Sequence, residues 1–147
     1  MLLPLLFLHL TGVSQIHVIT GSDEGTVSEE ALKLYNKLKP EGGDDFSQEV
    51  IDGTVANADE ANTACGQVIQ SLQTLPFFGG GKTVWLKRAN FLASDRTSDA
   101  ELTQNAVAAL LECLQQGLPN DIHFIISATG LDKRGAFYKF LNKEASV

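Results

Sequence analysis

With 147 residues, 44% of them hydrophobic, the chain is long enough for one domain with a core of its own. Its charge is moderate and its aromatic content is not scarce, which excludes a disordered ground state. The net charge is −7. Residues 1–73 hold eleven acids against three bases, and residues 74–147 hold seven against eight. An acidic domain with no dense patch of Lys/Arg interleaved with aromatics repels phosphate backbones, so proteins are the expected partners.

In chain order, Leu2–Leu10 comes first, an apolar run broken only by Pro4 and His9. It resembles the core of a signal peptide, yet the first basic residue of the chain is Lys33 and no small-x-small cleavage site follows. The run is too short to span a bilayer. Residues 1–15 are therefore read as an apolar leader on a cytoplasmic protein with an atypical start, with export as the alternative. Ile16–Thr20, ending at Gly21, predicts a buried strand. Val27, Ala31, Leu34, Tyr35 and Leu38 recur at helical spacing up to Pro40 and Gly42-Gly43.

Phe46–Ile51 predicts a second strand. Asn57 with Glu60 three residues later opens a second helix with Ala61, Cys65, Val68 and Leu72 on one face. Thr83–Lys87 predicts a third strand. Ser98-Asp99-Ala100-Glu101 reads as a capping box for one long helix through Gln116, apolar nearly all round at Ala106–Leu111 and therefore well buried. Asp121–Ser127 supplies a fourth strand, and Lys133–Lys143 a final helix on Phe137, Phe140 and Leu141. Strands separated by helices give a single α/β domain, a mostly parallel sheet with helices on both faces. Cys65 and Cys113, without metal-ligand spacing, are expected as small buried hydrophobes.

Ligands of such sheets bind at the carboxyl ends of the strands. The first strand ends in Gly21-Ser22-Asp23-Glu24, a loop with two carboxylates and no lysine, which repels phosphate instead of cradling it. Gly80-Gly81-Lys82-Thr83 matches the tail of a phosphate-binding loop, but Pro76 stands where its first glycine is needed. It also runs into a strand, so no helix N-terminus faces a phosphate. Strand three ends in the basic Lys87-Arg88, where an ATPase holds magnesium with an aspartate. Strand four ends in Ser127-Ala128-Thr129 with no partner base. His17 and His123 occupy matching places on strands one and four. If those strands are neighbours, the rings lie side by side, either as ordinary strand-entry histidines or as a weak metal site. No catalytic residue, metal or cofactor is assigned.

Four segments taken in order carry a resemblance. They are Ile16-His17-Val18-Ile19-Thr20-Gly21-Ser22-Asp23-Glu24; Leu72-Gln73-Thr74-Leu75-Pro76-Phe77-Phe78; Lys82-Thr83-Val84-Trp85-Leu86-Lys87-Arg88-Ala89-Asn90-Phe91-Leu92; and Leu131-Asp132-Lys133-Arg134 with Phe137-Tyr138-Lys139. From Ile16 to about Ala145 the chain resembles the N-terminal domain of the delta subunit of bacterial DNA polymerase III. The resemblance implies an AAA+/P-loop-like domain, residues 16–147, that lacks a functional nucleotide site, with Gly21, Ser22, Asp23 and Glu24 as its degenerate loop.

The resemblance also implies a role and partners. The domain would bind and help open the ring-shaped sliding clamp (the beta subunit) during DNA replication, beside other clamp-loader subunits. It would meet DNA only through the assembled complex, with no membrane contact. It would have no ATPase activity of its own, although the holoenzyme it serves is a DNA-directed DNA polymerase. Leu75, Pro76, Phe77 and Phe78 take the place of the family's clamp-gripping residues, with Phe77 where leucine is usual. The lid and collar regions of the family are not in this sequence, which ends about where a further strand would begin. Ile16–Thr20 is then expected as an exposed edge, and Leu5–Leu10 as the segment that folds back over that edge or the nearby sheet face. Two other functions compete: a small P-loop nucleotide-binding enzyme using Gly80-Gly81-Lys82-Thr83, and an exported or membrane-tethered binding domain.

Overall fold

The computed structural model describes residues 6–9, 15–39, 47–74, 81–119 and 121–144. Within them the strands are β1 (Leu6–His9), β2 (Ile16–Thr20), β3 (Gln48–Asp52), β4 (Lys82–Lys87) and β5 (Ile122–Ala128). The helices are α1 (Glu24–Lys37), α2 (Ala58–Gln73), α3 (Arg96–Asp99), α4 (Glu101–Gln115) and α5 (Ala136–Glu144), with a 3-10 turn at Asn90–Leu92. The strands form one sheet in the order β1-β2-β5-β4-β3. β2, β5, β4 and β3 are mutually parallel, as helical crossovers require. β1 runs antiparallel along β2, from Leu6 opposite Thr20 to His9 opposite His17. The apolar leader therefore does pair with the strand edge that its sequence was expected to cover.

Successive strand residues alternate between the two faces. Val18, Val84, Leu86, Phe124 and Ile126 point into a large core closed by α2, α4 and α5 through Val68, Leu72, Leu110, Leu114 and Leu141. Ile19, Trp85 and Ile125 point the other way, onto Val27 and Ala31 of α1. Helices thus lie on both faces, and the central strands are buried on both sides, so they read as continuous apolar runs. Each fully buried Leu, Ile or Phe contributes on the order of 1.5–3 kcal/mol.

Local caps set the helix starts. Asn57 accepts from the Glu60 amide at 2.9 Å, and the Glu60 carboxylate accepts from the Ala56 amide at 2.9 Å, a reciprocal arrangement one residue wider than the usual box. The expected single helix from Ser98 to Gln116 is instead two. Asp95 accepts from both the amide and the hydroxyl of Ser98 at 2.8 Å, starting α3 three residues earlier. Ala100 is extended (φ −65°, ψ 141°), and α4 begins afresh at Glu101. The expectation that Ala106–Leu111 is buried all round is also corrected. Ala106 and Leu110 are buried while Ala108 and Ala109 are exposed, because α4 packs with one face on α2, α3 and α5. Both cysteines are buried free thiols, and burial pushes Cys65 up to about 12, so it stays protonated.

Candidate functional site at the two edges of the sheet

At the carboxyl edge, β2 runs through Gly21 and Ser22 into α1. Asp23 is the N-cap, its carboxylate accepting from the Thr26 amide at 3.0 Å and from the Thr26 hydroxyl. Those hydrogen bonds, the hydroxyl's first, hold the Asp23 carboxyl below its ordinary value. Glu24 follows in the first turn, accepts from Ser28 Oγ at 2.6 Å and faces Arg88 Nε at 3.5 Å. The positive end of α1 is thus occupied by the chain's own carboxylates. Both partners of the Glu24–Arg88 pair are about half exposed, so it contributes no more than ~1 kcal/mol.

Arg88 is held in the left-handed region at φ 57°. Its neighbours fix that conformation. The Ala89 amide donates to Ser127 O at 3.0 Å, and the Gly53 amide donates to Lys87 O at 2.6 Å. The Asn90 side chain clasps Val55, accepting from its amide at 3.1 Å and donating to its carbonyl at 3.0 Å. A Cβ on Gly53 would lie 2.9 Å from Ala89 Cα, so only glycine passes there. The Ser127 hydroxyl is buried and accepts from Trp85 Nε1 at 2.9 Å, which makes it a structural acceptor. Lys87 lies over the Trp85 ring, 5.1 Å from its centroid. The cations of this edge are matched within the chain by Glu24 and Asp52, the latter lowered chiefly by the Thr54 amide.

At the amino edge, the sequence's candidate phosphate lysine has a different use. Lys82 opens β4 and is 6% exposed. Its Nζ donates to Ser71 O at 2.9 Å and Thr74 O at 3.3 Å, the last carbonyls of α2, and lies 3.8 Å from Glu49 Oε1. Thr83 is fully buried and donates its hydroxyl to Leu38 O at 3.1 Å. Both residues sit at the opposite end of the sheet from the Gly21–Glu24 loop, and neither is placed for a phosphate. Gly80 and the expected clamp-binding residues Leu75, Pro76, Phe77 and Phe78 lie outside the described residues. The connection they belong to joins α2 to β4 at this edge.

His17 and His123 do meet, because β2 and β5 are neighbours, with Nε2 of His17 3.2 Å from Nδ1 of His123. Desolvation lowers His123 from its ordinary value against the opposing pull of Asp121. Among the described residues no group of three or more His, Cys, Asp and Glu is arranged to hold a metal. A cavity of about 270 Å³ lies between α4, α5 and the 3-10 turn, lined by Phe91, Leu92, Val107, Leu111, Leu131 and Tyr138 among others. Sequence reading missed the cap made by Lys82 and the left-handed Arg88. Both depend on partners that only the fold brings together, the end of α2 for Lys82 and Ser127 and Gly53 for the Arg88 turn, so the sequence carries no local signal for either.

The family model of the DNA polymerase III delta subunit matches residues 17–147. The chain belongs to the DNA polymerase III delta subunit family. A solved structure with the same fold is the Bacillus subtilis DNA clamp loader delta protein (YqeN), at TM-score 0.64 and 22% identity. The match covers 90% of this chain and 37% of that one, so the chain spans well under half the length of its structural relative. No curated protein sequence matched. Within the delta family match fall all four segments quoted above apart from Ile16. No helix among the described residues is long and apolar enough to cross a membrane.

Proposed function

We propose that this chain is the clamp-gripping domain of a clamp-loader delta subunit, acting in DNA replication by binding and helping to open the sliding clamp. Leu75, Pro76, Phe77 and Phe78 form its anchor, other loader subunits are its neighbours, and DNA is met only through the assembled complex. The domain itself neither binds nor hydrolyses nucleotide. The family match over residues 17–147 carries this reading. The carboxyl edge supports its second half, since Asp23 and Glu24 stand where phosphate oxygens would need positive charge. The competing P-loop reading loses its lysine, because Lys82 Nζ is engaged on α2. Calorimetry with magnesium–ATP and magnesium–GTP is expected to show no binding, and surface-plasmon titration with the cognate sliding clamp to show saturable binding without nucleotide. Micromolar nucleotide affinity, or no clamp binding by the folded chain, overturns the reading.

A further inference from the structure

The spacing of His17 and His123 is set by the strands that carry them. The Phe124 amide donates to Gln15 O at 2.7 Å, and the Gln15 side chain donates to Pro119 O at 2.7 Å and Ile122 O at 3.0 Å. These bonds fasten the entry of β2 to the entry of β5 beside the pair. His17 stands two residues before Ile19 and His123 two before Ile125, which puts both on the α1 face of the sheet. Nε2 of His17 faces Nδ1 of His123 at 3.2 Å, with ring centroids 5.4 Å apart and planes tilted by 30°, so the rings meet edge to edge and are not stacked. Two imidazole nitrogens sharing a tetrahedral zinc, each about 2.0–2.1 Å from the metal, stand about 3.3 Å apart. The pair is therefore at ligand spacing as well as at hydrogen-bond spacing.

A proton shared between these nitrogens and a cation bound by both are alternative occupants. With the ring protons on His17 Nδ1 and His123 Nε2, both facing nitrogens present lone pairs. The neutral form this needs is favoured at His123, which desolvation holds below its ordinary value. Asp121, close enough to pull against that shift, brings negative charge to the same place, and its backbone is fixed by the Lys82 amide donating to Asp121 O at 2.9 Å. His17 is buried, while His123 is half-buried and leaves a path from solvent.

We propose that His17 Nε2 and His123 Nδ1 bind a divalent transition cation of the zinc class, with the Asp121 charge beside it, pinning the entry of β2 to that of β5. Imidazole suits zinc, copper and nickel, whereas magnesium and calcium take oxygen ligands. Among the described residues no group of three such ligands is present, so water completes the coordination and the site is an open one. The proposal stands apart from the reading of Phe77 and Phe78.

The test titrates the untagged full chain, His17→Gln and His123→Gln with zinc chloride and with magnesium chloride by calorimetry, with thermal melts and long-range proton–nitrogen spectra of the histidine rings alongside. The parent is expected to bind one zinc and no magnesium, and to melt higher with zinc. Its spectra should show His17 Nε2 and His123 Nδ1 shifting on zinc addition. Each variant should lose zinc affinity by about tenfold or more, since losing a ligand costs at least as much as losing an outer-shell partner. No zinc binding by the folded parent overturns the proposal. So does zinc affinity kept in both variants, through His9 or any other group, or binding that leaves those two ring nitrogens unshifted. If His17→Gln does not fold, His123→Gln and the ring spectra decide: lost affinity with both nitrogens shifting in the parent supports the site, and parental affinity overturns it.

Discussion

Gly53 shows how one residue sets the carboxyl edge. Its amide reaches Lys87 O at 2.6 Å, and any Cβ would press on the Ala89 backbone at 2.9 Å. Gly53→Ala is expected to cost about 1–3 kcal/mol, the usual range for overpacking, with the loss read as a lower thermal midpoint. A variant melting like the parent would mean that the β3 exit and the Arg88 turn are not rigidly joined. His123 gives a second residue-scale expectation. Desolvation depresses its folded pKa, so the unfolded chain binds protons more readily. The stability this brings is present above the unfolded value of ~6.5 and is lost as pH falls toward the folded value. Melting should therefore drop between pH 7 and pH 5, and His123→Gln should flatten that part of the profile. Asp23 and Asp95, both lowered by N-cap hydrogen bonds, act only in a more acidic window, near and below ~4. An unchanged slope in the variant would assign the loss to other groups.

Among the elements, β1 covers the free edge of β2 in register from Leu6 to His9. An exposed, apolar, untwisted edge invites pairing with another chain. Deleting residues 1–12 is expected to promote dimers or aggregates in light scattering, and a monomeric, equally soluble product would contradict that role. This pairing was legible because the need was local and simple: an apolar segment and an apolar strand edge. The α2 start was legible for the same reason, since Asn57 and Glu60 lie within one turn. The α3–α4 break was not, because Asp95 and Ser98 are both good capping residues in one stretch, and α4 restarts after an extended Ala100 that makes no side-chain cap. Lys82 was misleading for a further reason: the sequence shows a glycine-flanked lysine, and only the return of α2 shows what it bonds.

On the scale of the molecule, four parallel strands covered on both faces place all connections at two edges with different characters. The carboxyl edge, where such folds hold ligands, carries the chain's own cap at Asp23 and the Glu24–Arg88 ion pair. At the amino edge Lys82 bonds the carbonyls of Ser71 and Thr74 at the end of α2, and the sequence between α2 and β4 includes the proposed anchor Leu75-Pro76-Phe77-Phe78. The fold and family were readable from four short segments in order. The gripping role rests on the aromatic pair, and two aromatic side chains together bury on the order of 400 Å².

The most direct measurement of that role is surface-plasmon binding of parent and Phe77→Ala/Phe78→Ala chains to the cognate sliding clamp, with thermal melts alongside. The expected result is a loss of more than ~2 kcal/mol in binding at a nearly unchanged melt. A variant that melts like the parent and binds the clamp equally well would contradict the proposed function at its centre.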